Sequence, residues 1–144
     1  MNLARILSVV LRVALGLVLV YAAYTKLRQS WLLFAMSIDS YQLLPQWGVL
    51  ALARTLPWFE LLVGVILISG LWLRYAATAA AALFILFFSA MITSYARGLQ
   101  IDCGCFGPGE ALSATTLTRD GILLAAAICL AILALRRRPL NATR

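Results

Sequence analysis

The residues best suited to chemistry in this chain are two cysteines separated by one glycine, Cys103-Gly104-Cys105. In an extended chain their Cα atoms would lie about 7 Å apart, just beyond the range that a disulfide bond accepts. Gly104 lets the backbone bend, so that a disulfide can form in a small and strained ring. Strained disulfides are more oxidising and more easily reduced than structural ones. The spacing therefore predicts a redox-active pair rather than a structural disulfide, which stabilises most when it closes a long loop.

Two other interpretations of the cysteine pair stay open at the level of sequence. Two thiolates suit Cu(I), whereas a zinc site would still lack its third and fourth ligands. A pair with no chemical role is the other alternative. We favour thiol–disulfide redox chemistry and predict no resident metal. Arg97 and Arg119 flank the loop and would lower the pKa of a thiol, whereas Asp102 would raise it.

Glu60 is the second candidate for chemistry because it lies well inside an otherwise apolar run. A carboxylate at that depth is costly and needs a partner in the protein interior. Lys26, Arg97, Arg54 or a tyrosine hydroxyl are the candidate partners. A catalytic acid and a structural polar contact between helices would explain Glu60 equally well. Cys129, inside the last apolar run, is interpreted as a small packing residue.

The elements that would position these residues are transmembrane helices. The 144 residues are 64% hydrophobic and 12% charged, whereas soluble domains have about 45–50% and about 25%. A membrane span takes about 20 apolar residues, and four runs approach that length, at about 6–25, 49–73, 75–96 and 117–136. We therefore predict an all-α integral membrane protein, one domain over residues 1–144, folded as an antiparallel bundle of four transmembrane helices. The aromatic segment after the first span predicts an interfacial helix that ends at Leu44-Pro45.

The distribution of charge predicts an orientation and excludes one class of partner. The net charge is +7, but the basic residues are scattered singly except for Arg136-Arg137-Arg138, which directly follows the last span. That pattern is typical of a cytoplasmic membrane anchor and not of a nucleic-acid-binding surface. With both termini in the cytoplasm, the interfacial helix and the cysteine loop face outward, where disulfides persist. The chain has no histidine, which excludes Ser-His and Cys-His nucleophile pairs.

Several short motifs follow one another along nearly the whole chain. They are Ala23-Tyr24-Thr25-Lys26-Leu27, Tyr41-Gln42-Leu43-Leu44-Pro45, Leu56-Pro57-Trp58-Phe59-Glu60 with Gly64 and Gly70 after it, the segment 97–107 around the cysteines, and Arg119-Asp120. In these motifs and in their order the chain resembles the methylamine-utilisation MauE branch of the DoxX-like membrane proteins. Cys-Gly-Cys-Phe-Gly is the most specific of them.

The resemblance implies a four-helix protein of the bacterial inner membrane, with the interfacial helix and the cysteine pair in the periplasm. It also implies a role in forming, reshuffling or relaying disulfides, as in the maturation of the methylamine dehydrogenase small subunit. Cys103, Cys105 and Glu60 would then be catalytic. The charged and aromatic residues of the shared motifs would bind the partner protein: Lys26, Tyr41, Arg97, Asp102 and Phe106.

Three functions are compatible with these features. The favoured one is a thiol–disulfide redox protein that exchanges with a periplasmic thioredoxin-like protein or with a disulfide-containing client. By analogy with vitamin K epoxide reductase, its electrons would pass to a quinone near Glu60. The alternatives are a non-enzymatic assembly or scaffold subunit, and a small transporter or metal-delivery protein that uses the two thiols.

Overall fold

The computed structural model describes residues 2–106 and 109–137. Gly107 and Pro108 of the cysteine loop and Arg138 of the basic tail lie outside the described residues. The described part contains five helices in this order: α1 (Leu3–Arg28), α2 (Trp31–Asp39), α3 (Gln46–Ser69), α4 (Leu73–Ala96) and α5 (Ala114–Arg136).

Four of these helices, α1, α3, α4 and α5, are long and apolar enough to cross a membrane. This confirms the predicted all-α membrane bundle with four spans. The second span ends at Ser69 rather than near residue 73. Gly70 stops it by adopting a left-handed backbone conformation (φ 77°), from which its N–H bonds the carbonyls of Ile66 and Leu67.

The predicted short helix is present as α2, but its predicted end at Leu44-Pro45 is wrong. It begins where the Ser30 hydroxyl accepts a hydrogen bond from the Leu32 N–H, and it ends at Asp39. Gln42 then takes a positive φ of 54°, which an α-helix cannot accommodate. Pro45 instead sits at the N-terminus of α3, where its missing N–H is no loss.

The bundle is held by close contacts between small residues. α1 packs along α3, α4 packs along α5, and α2 lies on α3. α1 and α3 approach most closely where Gly16 faces Gly64: a Cβ added to either glycine would lie 2.9 Å from the other's carbonyl oxygen. Buried alanines fill much of the remaining interior, namely Ala76, Ala77, Ala80, Ala81, Ala127, Ala131 and Ala134. Small residues at these positions let membrane helices pack with their backbones close together.

The outer surface of the four long helices is covered by large apolar side chains, as expected for a protein surrounded by lipid. Cys129 belongs to this surface. Its side chain is exposed on α5, so the sequence-based interpretation of Cys129 as a packing residue is wrong.

Both long connections lie at the same end of the bundle because the spans alternate in direction. One connection carries α2, and the other, between α4 and α5, carries the two cysteines. Their proximity is direct: the Tyr41 hydroxyl, just after α2, lies 2.6 Å from the carbonyl oxygen of Cys103. This end of the bundle therefore brings together most of the residues that the sequence singled out.

Candidate functional site

The centre of the site is the cysteine pair. The Sγ atoms of Cys103 and Cys105 and one carboxylate oxygen of Asp120 all lie within 4.8 Å of one another. Both cysteines are free thiols; Cys103 is buried and Cys105 is partly exposed. The Cys105 thiol also lies 3.9 Å from the Sδ atom of Met91 on α4. The two sulfurs are therefore near neighbours, as a disulfide between them requires.

Gly104 supplies the bend that the sequence predicted. Its φ is 70°, a conformation that favours glycine, and a Cβ there would come within 3.2 Å of the Ser37 Cβ on α2. Just before the bend the loop is bonded to the segment that leads back to α5. Asp102 and Ala111 form an antiparallel bridge, and the Cys103 N–H donates to the Glu110 carbonyl at 2.7 Å. The two thiols are therefore presented by a fixed turn.

Lys26 and Glu60 form a buried ion pair beneath this turn. The Lys26 Nζ lies 3.0 and 2.9 Å from the two Oε atoms of Glu60, and their side chains are 2% and 0% exposed. A third hydrogen bond runs from the Lys26 Nζ to the Cys105 carbonyl oxygen at 2.8 Å. Lys26 was one of several partners that the sequence allowed for Glu60, and the structure selects it. The pair therefore ties α1 and α3 to the backbone of the cysteine loop.

Helix geometry explains why these two residues meet. Side chains on a helix lean toward its N-terminus. Lys26, two residues before the end of α1, thus reaches down into the bundle, whereas Glu60 on the antiparallel α3 leans up toward it. The rings of Phe34 and Phe87 each lie 5.7 Å from the Lys26 Nζ, which adds cation–π contacts to the ion pair.

Tyr41 holds the other side of the cysteine turn. Its hydroxyl donates to the Cys103 carbonyl oxygen at 2.6 Å. Burial, together with the nearby cysteines, raises the pKa of Tyr41 above its ordinary value, so the hydroxyl stays protonated and remains a donor. Arg97 supports Tyr41 from outside by donating to its backbone carbonyl at 3.2 Å.

The pKa values of the two thiols are shifted in opposite directions. The pKa of Cys103 is lowered because its thiolate would accept a hydrogen bond from the Cys105 thiol. The pKa of Cys105 is raised well above its ordinary value, first because it holds the proton of that hydrogen bond and then because it is buried. The sequence suggested Arg97 or Arg119 as the group that acidifies a thiol. Instead, Arg119 pairs with Glu110 and Asp120, and Cys105 itself acidifies Cys103.

The remaining predicted partner-binding residues lie around the outside of the turn. Phe106 stacks on Tyr21 with ring centroids 6.1 Å apart, and the Arg119 guanidinium lies 4.6 Å from the centre of its ring. The Asp102 carboxylate accepts the Gly109 N–H at 3.3 Å. Lys26 and Tyr41 thus contact the cysteine turn directly, whereas Arg97, Asp102 and Phe106 support the loop that carries it.

Asp120 is the residue near the thiols that sequence reasoning did not assign to the site. It is 6% exposed, and the only signal was its place in the shared Arg119-Asp120 motif. Its carboxylate and the two thiols provide three potential metal ligands, one short of a tetrahedral zinc site.

Comparison with known proteins identifies the family. The family described as "Methylamine utilisation protein MauE" matches residues 4–134. The chain is 36% identical over 124 residues to the methylamine utilization protein MauE of Paracoccus denitrificans, covering 84% of this chain and 66% of that protein. It is 43% identical over 91 residues to that of Methylophilus methylotrophus, covering 62% and 47%.

A third protein of the same name, from Methylorubrum extorquens, is 36% identical over 129 residues, covering 88% of this chain and 69% of its own length. The matches thus span about half to two thirds of these relatives. No solved structure matches the chain. The family match covers nearly all of the chain, including its cysteine loop and its buried ion pair, so the chain belongs to the MauE family.

Proposed function

We propose that this chain is a membrane accessory protein of methylamine utilisation whose cysteine pair exchanges disulfides with a client protein in the periplasm. The names of its relatives support the first half of the proposal. The small subunit of methylamine dehydrogenase, or a similar protein rich in disulfides, is the client that the family resemblance suggests. The bacterial inner membrane, with both termini in the cytoplasm, is the location that the charge pattern favours.

The observation that supports disulfide exchange is the closeness of two thiols whose pKa values are shifted in opposite directions. A thiol with a lowered pKa is the better leaving group when a disulfide is attacked. Cys103 has that lowered pKa, and as a whole residue it is buried, whereas Cys105 is partly exposed. An incoming client thiolate should therefore attack Cys105 and displace Cys103.

The exchange balances in two steps. In the first, a client thiolate bonds to the Cys105 sulfur, the Cys103–Cys105 bond breaks, and Cys103 leaves as a thiolate. In the second, another client thiolate attacks the client sulfur of this mixed disulfide and releases Cys105, which takes up a proton. The client loses two electrons and gains a disulfide, and the cysteine pair gains the two electrons as a dithiol.

Trapping the mixed disulfide tests this proposal. Tagged Cys103→Ser protein retains the attacked sulfur, Cys105, but lacks the neighbouring thiol that could displace the client from it. It should therefore accumulate mixed disulfides with periplasmic proteins, which acid quenching preserves. Cys105→Ser should accumulate far fewer. Cys129→Ser is the matched control and should behave as wild type. Absence of adducts from both single variants in a cell that makes the client would contradict disulfide exchange.

A second candidate function, cation binding, rests on the carboxylate of Asp120 beside the two thiols. Two thiolates and a carboxylate would accept Zn²⁺ or, through the thiolates alone, Cu(I). Protein purified without chelators would then contain one equivalent of metal, which Asp120→Asn would reduce in the case of zinc. Metal-free protein that still forms adducts would favour the redox function.

A further inference from the structure

A cavity of about 500 Å³ lies beside the cysteine pair. It lies under α2, between α3 and α4, and the cysteine turn closes one end. A cavity of this size falls within the range of small-molecule sites, about 300–1,000 Å³. Its walls are almost entirely apolar, being formed mainly by Phe34, Leu52, Leu56, Phe59, Leu83 and Phe87.

The end of the cavity at the cysteine turn is chemically different from its walls. Cys103, Gly104 and Cys105 line it there, together with Lys26 and Tyr41. Lys26 uses its three hydrogens on Glu60 and on the Cys105 carbonyl, and the Tyr41 hydroxyl donates to the Cys103 carbonyl. Neither side chain has a free hydrogen-bond donor for a charged ligand. The reactive residues that line this end of the cavity are therefore the two cysteines. The cavity therefore suits an uncharged molecule that reacts with thiols.

Part of the cavity wall also forms the outer surface of the bundle. Two of its lining residues also belong to the lipid-facing surface, Phe59 on α3 with 45% of its surface exposed and Leu86 on α4 with 66%. A molecule entering between them would come from the hydrocarbon layer and not from water. Its tail would remain among apolar side chains while its head reached the cysteine turn.

We propose that this cavity binds a lipid-soluble quinone, which reoxidises the Cys103–Cys105 dithiol. A quinone is uncharged, its ring fits between aromatic side chains such as Phe34 and Phe87, and its tail dissolves in lipid. A phospholipid acyl chain would match the walls but would leave the thiols without a function. This inference rests on the proposed disulfide exchange and names the oxidant that restores the pair after each client.

The reaction balances without any further reactant. Cys103 and Cys105 lose two electrons and two protons and form one S–S bond. The quinone gains both electrons and both protons, so its two carbonyl groups become the two hydroxyl groups of a quinol. The quinol would then leave between the same two side chains, Phe59 and Leu86.

This site differs from the one that the sequence suggested, a quinone near Glu60. Glu60 is bonded to Lys26 and lines a void of about 20 Å³, together with Cys105 and Asp120. A quinone ring does not fit in that volume. The buried ion pair therefore positions the cysteine turn, and Lys26 separates Glu60 from the acceptor site.

Ubiquinone-1, a quinone with a short tail, is the probe for the test. Purified full-length protein is reduced with dithiothreitol, desalted without oxygen and mixed with ubiquinone-1. We expect one quinone to be reduced for each protein, with loss of both thiols of the pair to a maleimide mass label. Ala90→Phe, which fills the cavity from α4, should slow this reaction by about tenfold or more, since the ring then lacks room to bind.

Ala82→Phe is the matched control, because Ala82 is exposed on the same helix and does not line the cavity. It should react as wild type. If Ala90→Phe does not fold, Thr55→Phe on the α3 wall provides the same obstruction. Equal rates for the obstructed and control proteins would overturn the site.

Binding is measured separately from redox chemistry in Cys103→Ser/Cys105→Ser protein. Ubiquinone-1 should raise its thermal midpoint, and this shift should disappear when Ala90→Phe is added. No shift in the double variant would overturn the quinone site. Wild-type dithiol that reacts with glutathione disulfide but does not reduce ubiquinone-1 would also overturn it, while leaving disulfide exchange intact. Failure of both reactions would instead overturn the proposed function on which this inference depends.

Discussion

A thiol loses its proton more readily when a neighbour can donate a hydrogen bond to the thiolate, and Cys105 is that neighbour for Cys103. Donation from the Cys105 thiol to a Cys103 thiolate would lower the pKa of Cys103 and raise that of Cys105. It depends on the turn at Gly104 and on the two backbone contacts made by Lys26 and Tyr41. At this scale, the chemistry of the site follows from contacts to main-chain atoms as much as from the thiols themselves.

Removing the donor should shift the pH dependence of Cys103. Because its pKa is lowered, more thiolate is present at a given pH, and alkylation by iodoacetamide should begin at lower pH than for an ordinary thiol. Cys105→Ala removes the hydrogen bond and should move the midpoint of alkylation to higher pH. Cys105→Ser keeps a hydroxyl donor and should lie between wild type and Cys105→Ala. The measurement is peptide mass spectrometry of reduced Cys129→Ser protein, and identical midpoints would contradict the assigned cause.

The ion pair makes a separate prediction about stability. Lys26→Met would leave the Glu60 carboxylate buried and unpaired, which costs about 3–5 kcal/mol. Lys26→Met/Glu60→Met removes both charges and should recover most of the thermal stability measured in detergent. Both variants lose the bond to the Cys105 carbonyl, so both should exchange more slowly with glutathione disulfide.

Arg28→Met is the control for the ion-pair variants, because Arg28 lies two residues away and, within the described residues, its polar contacts are with the exposed Tyr24. It should change neither stability nor exchange. A double variant as unstable as Lys26→Met alone would show that the unpaired charge is not the cause of the destabilisation.

At the scale of the elements, the contact between α1 and α3 decides whether the site can assemble. α1 carries Lys26 and α3 carries Glu60, and the two helices meet most closely at Gly16 and Gly64. A wider separation of α1 and α3 would pull the ion pair apart before it affected the thiols directly.

Gly64→Ala tests this helix contact. The added Cβ would lie 2.9 Å from both the Gly16 carbonyl oxygen and the Val20 Cγ2, and such overpacking costs about 1–3 kcal/mol. We expect a lower thermal midpoint and faster reaction of Cys103 and Cys105 with maleimide. Gly48→Ala makes the same change on the same helix, but its nearest contact would be 3.7 Å away. It should be neutral or slightly stabilising, and an equal loss in both variants would contradict the role of the close approach.

At the scale of the whole molecule, four spans place α2 and the cysteine loop on one side of the membrane and the short α3–α4 connection on the other. The basic residues predict the direction of the bundle in the membrane, with both termini in the cytoplasm. The client would then meet the cysteine turn from the periplasm, while the quinone would reach it from within the bilayer.

Two tryptophans provide a matched test of this orientation. Trp47, at the start of α3, and Trp72, before α4, are each 76% exposed. In protein lacking all three cysteines, Trp47→Cys should react with a membrane-impermeant maleimide in intact spheroplasts. Trp72→Cys should react only after permeabilisation. The reverse pattern would place the cysteine turn in the cytoplasm and contradict a periplasmic client.

The sequence by itself determined the number of spans, because a bilayer requires about 20 apolar residues for each crossing. It also determined that the two cysteines could approach each other, since Gly104 permits the turn, and that Glu60 needed a buried partner. These properties are local in the chain or follow from the cost of burying a charge in an apolar environment.

Only the tertiary structure decided which residues meet. It selected Lys26 for Glu60, added Asp120 to the thiols and turned Cys129 toward the lipid-facing surface. Hydropathy reports that a helix crosses the membrane but not which of its faces points inward, because neighbouring helices determine that face. The cavity, too, exists only between α2, α3 and α4 together, and no single segment of the sequence encodes its shape.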